Sequence, residues 1–182
     1  MSRQKAGKRL NATDYYPTPP WCYENLELDW DSFKTAHEPC RGDGRIQFFL
    51  EEEMGIPCSY SEINEGRDFF DWNEHVDLIL TNPPFSLAQE FIEHSLAHAD
   101  TVAMLLRINF LGSIKRHDWW KEHSPDALHV LSKRPSFTGK GTDATEYAWF
   151  LWGKVKPGVC FVGLPSREQS SLATELAQEF IS

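Results

Sequence analysis

Two periodicities divide this chain. Residues 76–81, Val-Asp-Leu-Ile-Leu-Thr, are almost continuously apolar, as a strand covered on both faces is. Residues 101–108 form a second run of this kind. Shorter runs at 35–39, 58–63, 128–131, 147–152 and 158–162 read as strands, and 67–72 as a further short one. Between them the period lengthens to that of a helix. Residues 46–54 carry apolar side chains at 46, 49 and 50, turn acidic residues 51–53 outward and stop at Gly55 and Pro57. Residues 86–98 open with Ser86 and Gln89 as a capping box and direct Leu87, Phe91, Ile92, Ser95 and Leu96 inward. Residues 114–123 read as helical. So do residues 166–180, where Ser166 and Gln169 form the cap and Leu172, Leu176 and Phe180 share a face. Strands alternate with helices up to residue 123, and strands dominate afterwards. The pattern predicts an α/β fold: a mostly parallel central sheet, a C-terminal antiparallel hairpin and helices on both faces.

Composition narrows this only a little. A length of 182 residues, 41% of them hydrophobic and 13% aromatic, suits one domain over 15–182 behind a flexible basic arm at 1–14. No apolar run approaches the roughly 20 residues that cross a bilayer. The polar, basic first residues do not read as a signal peptide, so a soluble, cytoplasmic protein is expected. Cys22, Cys40, Cys58 and Cys160 lie far apart and match no zinc spacing, which predicts reduced thiols and no metal. A net charge of −9 excludes a passive nucleic-acid coat. The positive charge is nevertheless grouped, at Arg3, Lys5, Lys8 and Arg9, then at Arg107, Lys115, Arg116 and Lys121, then at Lys133, Arg134 and Lys140. An acidic enzyme can still present a basic face.

Ligands of open α/β sheets sit at the carboxyl ends of the strands. The stretch Glu38-Pro39-Cys40-Arg41-Gly42-Asp43-Gly44 falls at such an end and opens the first helix. Its glycines allow backbone to approach a ligand closely. There is no G-x-G-x-x-G, which argues against a dinucleotide. Glu38 and Asp43 would repel phosphate at that helix start and favour a cation. S-adenosyl-L-methionine fits, having a sulfonium, an ammonium and no phosphate. Glu62, about 20 residues further on, stands where an acid can bind ribose hydroxyls. Asp68 could accept from an adenine amino group, with Phe69 beside the ring.

The apolar run at 76–81 leads directly into Asn82-Pro83-Pro84-Phe85. The nitrogen of a planar conjugated amine is a poor nucleophile, because its lone pair is delocalised into the ring. The Asn82 side-chain oxygen and the Pro83 carbonyl can each accept one of its N–H groups and orient the lone pair toward a methyl donor. Pro84 stiffens the turn, and Phe85 can stack on the base.

These motifs resemble the amino-methyltransferase family, in particular phage-type DNA N6-adenine methyltransferases, over roughly residues 14–155. The resemblance implies a Rossmann-like methyltransferase fold. It implies donor contacts from Tyr16, Thr18 and Pro19, the glycine loop, Glu62 and Asp68-Phe69. It makes Asn82 to Phe85 the catalytic motif. It also assigns Arg134, Phe137 and Tyr147, with Phe85, to a flipped base of double-stranded DNA, with Phe137 as a second stacking face. The family usually has small residues where this chain has Cys40-Arg41. No separate target-recognition domain is expected, so residues 110–128 and 133–146 are left to read sequence. RNA adenine, cytosine N4, a protein glutamine amide and a non-catalytic donor-binding subunit remain alternatives. Phe at 85 and the Thr18-Pro19-Pro20 segment favour adenine in nucleic acid. Intact Asn82 favours catalysis.

Overall fold

The structure is a computed structural model describing residues 17–137, 141 and 143–163. The predicted arm at 1–14, Tyr16 and the helix over 166–180 lie outside these residues. Seven strands form one sheet: β1 (Ala36–Glu38), β2 (Cys58–Tyr60), β3 (Val76–Thr81), β4 (Ala99–Arg107), β5 (Ala127–Leu131), β6 (Tyr147–Gly153) and β7 (Gly158–Val162). Their order is β2-β1-β3-β4-β6-β5-β7. The first four strands pair in parallel, whereas β6 is antiparallel to both β4 and β5. β7 closes the far edge parallel to β5.

Side chains alternate between two cores, as the pleat requires. Leu78 and Leu80 of β3, Ala103 and Leu105 of β4, and Trp149 and Leu151 of β6 enter one core. Ile79, then Val102, Met104 and Leu106, then Phe150 and Trp152 enter the other. The first face is covered by the segment around Cys22, Tyr23 and Leu26 and by helix α1 (Arg45–Phe48), which continues as a π-helical turn, Phe49–Glu53. The second face is covered by α2 (Ala88–His98), with Phe91 and Ile92 inward, and by α3 (His117–His123). Helices therefore lie on both faces of a mostly parallel sheet, as the periodicity predicts.

Two local expectations are corrected. The strand expected at 67–72 is a single bridge between Arg67 and Glu62, followed by a 3-10 turn, Phe69–Asp71. There Asp68 caps the turn by accepting the Phe70 N–H at 3.0 Å, so local turn chemistry overrides the β propensity of Phe-Phe. Ser86 does not cap α2, which starts at Ala88 from a 3-10 turn, Phe85–Leu87. Pro84 sets that turn instead, its carbonyl accepting the Leu87 N–H at 2.9 Å.

At the amino edge of the sheet, Gly153 ends β6 opposite Thr101 with φ +93°. A Cβ there would collide with the Asp100 carbonyl oxygen. Gly153→Ala combines a disfavoured backbone angle with a backbone clash. It is expected to cost about 3 kcal/mol or more, read as a lower urea midpoint with an unchanged slope.

Candidate active site

The carboxyl ends of β1 and β2 build one half of the site. Glu38 ends β1 and is 1% exposed. Its Oε2 accepts the backbone N–H of Gln47 in α1 at 2.9 Å. The chain then turns through buried Pro39 into Gly42 and Gly44, both in the left-handed region at φ +55° and +84°. Glu62, just past β2, ties this loop to its own turn. One carboxylate oxygen accepts the Gly42 N–H at 2.9 Å, and the other accepts the Asn64 N–H at 3.0 Å. A carboxylate oxygen has two lone-pair sites, so Glu62 keeps acceptor capacity while its position is set. Asp43 is exposed and pairs with Arg45 at 2.6 Å.

Arg41, the large residue in the loop, turns outward. Its Nε donates to Gln47 Oε1 and its Nη1 to Glu65 Oε1, both at 2.8 Å. Its guanidinium lies 4.5 Å from the Tyr60 ring centre, as does that of Arg67. The loop therefore presents backbone and carboxylates, a set suited to a cation with hydroxyls and unsuited to phosphate. Asp68 is half-buried and follows Arg67, which bridges Glu62. Phe69 is different. At 2% exposure, stacked on Trp72 and Phe91, its ring belongs to the core and offers no open face to a ligand.

β3 builds the other half. Asn82 follows its last residue, and Asn82 Nδ2 donates to the Thr18 hydroxyl at 3.0 Å. Thr18 is buried and Pro19 follows it, so the N-terminal segment reaches the turn by a direct bond. With Nδ2 committed to Thr18, Oδ1 points to the opposite side of the amide. Pro83 is buried, and Pro84 holds φ −57° and ψ 121° at the start of the next turn. The Phe85 ring packs 5.6 Å from Tyr147, with the Arg107 guanidinium 4.7 Å from its centre.

Antiparallel pairing places Tyr147 opposite Arg107, at the same edge as Asn82. The Tyr147 hydroxyl donates to Asp143 at 2.6 Å and accepts from Arg107 Nε at 3.0 Å. Arg107 also reaches Asp143 at 3.3 Å. Burial pushes the Tyr147 phenol up, so it stays protonated and able to donate. Phe137 stands edge-on to Tyr147 at 5.3 Å. Phe85, Phe137 and Tyr147 thus form one cluster. Arg134 stands apart from it, exposed and bonded to Glu146 at 2.7 Å.

Sequence reasoning missed Arg107, Asp143 and His37 as members of this edge. A charged residue ending a long apolar strand was the available signal for Arg107. His37 is fully buried on β1. Its ring nitrogens meet the Ser59 and Ser61 hydroxyls at 2.8 and 3.0 Å, and its ring stacks on Trp72 at 3.9 Å. Burial lowers its pKa to about 4, so it is neutral and positions the β2 end that carries Glu62.

Two solved structures have a similar fold. A candidate RNA methyltransferase from Pyrococcus horikoshii matches with a TM-score of 0.52 at 16% identity, over 78% of this chain and 88% of that one. The methyltransferase subunit of a type I restriction-modification system from Streptococcus thermophilus matches with a TM-score of 0.53 at 15% identity, over 74% of this chain and 43% of that one. The chain has the Rossmann-like methyltransferase fold. No family model and no curated protein sequence matches it.

Burial holds the Glu38 carboxyl well above the ordinary 4.5, outweighing the Gln47 N–H that favours its charge. The folded state therefore keeps a proton that the unfolded chain releases. This stability is fully present at pH values below the ordinary glutamate range and is lost as pH rises toward the elevated pKa. Glu38→Gln keeps an acceptor for Gln47 and removes the titration. As pH rises above the ordinary glutamate range the parent chain is expected to lose stability more steeply than the variant in urea titrations.

Proposed function

We propose that this chain is an S-adenosylmethionine-dependent DNA adenine-N6 methyltransferase acting on a flipped base. The observation that carries the reading is the Asn82 amide, locked by Thr18 at the end of β3 beside the Glu38–Glu62 loop pair. When bound, S-adenosylmethionine supplies a methyl group on a cationic sulfur. Thr18, Pro19, Glu38, Pro39, Gly42, Asp43, Gly44, Glu62 and Asp68 would hold it. Tyr16 is proposed as a further contact from the resemblance alone. Donor binding favours the ionised form of Glu38, so it is coupled to proton release.

On the acceptor side, Asn82 Oδ1 takes one N–H of the adenine amine and the Pro83 carbonyl takes the other. The Pro84 carbonyl is already used by Leu87, which leaves that of Pro83 for the turn's acceptor role. These two bonds draw the amine toward a pyramidal shape and aim its lone pair. Phe85 stacks on the base, its ring angle braced by Arg107 and Tyr147. Phe137 and Tyr147 are buried and so support Phe85 from the core side, while exposed Arg134 is proposed as a phosphate contact. Nucleic acid as substrate is supported by the basic residues grouped at this edge. It is also supported by the two similar structures, one a subunit of a restriction-modification system and one a candidate RNA methyltransferase.

The test is incubation with unmethylated DNA and RNA and labelled donor. Nucleoside mass spectrometry and sequencing of the modified positions follow. N6-methyladenine in DNA is expected; label in RNA, or on cytosine N4, would overturn the assignment. Asn82→Ala should lower the transfer rate by about a hundredfold or more. Donor affinity measured by calorimetry should change little. Turnover near that of the parent chain would remove Asn82 from the mechanism.

A further inference from the structure

Among the described residues Ile114 is the most exposed large apolar side chain, and it lies at the carboxyl edge of the sheet. Ile114 is 94% exposed, in a 3-10 turn, Ile114–Arg116, a short loop beyond β4. An isolated exposed aliphatic residue is ordinary; this one stands out for how firmly its turn is mounted. Leu111 N–H bonds to the Ile108 carbonyl at 3.1 Å, Gly112 N–H to Asn109 at 3.2 Å and Arg116 N–H to Ser113 at 3.1 Å. The Arg116 guanidinium donates twice to the Phe110 carbonyl, at 3.1 and 2.9 Å, and lies 4.1 Å from the Phe110 ring centre. Phe110 is packed edge-on against Trp120 and Phe150 of the second core. The exposed side chain is thus held by a chain of contacts that ends in the sheet.

Its place in the fold follows from topology. β3 and β4 are parallel, so the loop leaving Arg107 emerges at the edge that carries Asn82. α3 then runs back to the opposite edge, where Trp152 Nε1 bonds to the His123 carbonyl at 2.8 Å. Ile114, ahead of α3, therefore stands on the catalytic edge. Residues 101–117 include Arg107, Lys115 and Arg116 and contain no Asp or Glu, in a chain whose net charge is −9. The loop thus joins an exposed apolar tip to local positive charge at this edge.

We propose that Ile114 is a wedge that enters the base stack of double-stranded DNA and fills the gap left by the flipped adenine, with Lys115 beside it on the phosphates. This rests on the adenine-methylation reading above. Extruding a base loses its stacking and pairing, and an apolar side chain inserted in its place offsets part of that loss. A β-branched side chain suits the task, because its few rotamers leave little entropy to lose on insertion.

The test uses the full chain and duplexes containing an adenine that the parent protein methylates. Ile114→Ser should lower kcat/KM on the normal duplex by about tenfold or more, while Ile114→Leu stays near the parent value. Thermal midpoint and donor affinity should not move, since the side chain is exposed. A pyrene nucleotide opposite the target adenine occupies the space of a base pair and pushes the adenine out. On that duplex the Ile114→Ser defect should largely disappear. An unchanged rate on the normal duplex, or a defect that pyrene does not relieve, overturns the wedge. If the parent protein methylates no duplex DNA, the functional reading fails and the wedge with it.

Discussion

The hydrogen bond from Asn82 Nδ2 to the Thr18 hydroxyl decides which way the site faces. An amide has a donor end and an acceptor end of nearly equal size, and only its partners choose between the two orientations. Thr18 takes the donor end, which fixes the orientation of the amide. The choice in turn depends on where the N-terminal segment lies. That segment is pinned by Trp149 Nε1 bonding to the Cys22 carbonyl at 2.6 Å, and by Tyr23 and Leu26 entering the first core. The orientation of one side chain thus rests on packing across the whole first face of the sheet.

The half of the site at the ends of β1 and β2 is built differently, around polar groups placed on β1. His37 and Glu38 are both essentially buried, where apolar residues would be less costly. His37 escapes the cost of charge by remaining neutral between two serine hydroxyls. For Glu38 burial outweighs the one backbone N–H that favours its charge, and the carboxyl is held well above the ordinary range. Glu62 is bonded at both oxygens. Two backbone N–H groups satisfy its carboxylate and clamp the two loops whose separation sets the site.

Arg41 illustrates how a sequence anomaly can be resolved by geometry. By residue type it crowds a loop that must stay open. In the fold it leaves the loop, stacks on Tyr60 and pairs with Glu65, so its bulk braces the loop from outside. Phe69 moved the other way. Adjacency to Asp68 placed it beside the ligand, but the short 3-10 turn directs its ring into the second core.

The linear order of residues by itself determined the α/β class, the buried strands, the glycine loop and the Asn-Pro-Pro-Phe turn. Burial on both faces, helical spacing and turn chemistry all act over a few residues, so each leaves a local pattern. β3 was legible to its end residues for that reason, and 67–72 was misread because an aspartate cap and a β-prone pair compete over the same few positions. Only the tertiary structure decided which side chains meet. Thr18 reaches Asn82 across 64 residues, and Trp149 reaches Cys22 across 127. Arg107, Tyr147 and Asp143 meet because β6 enters the sheet antiparallel beside β4. Strand order and register bring such pairs together, and pairing at a distance leaves no periodic trace in the chain.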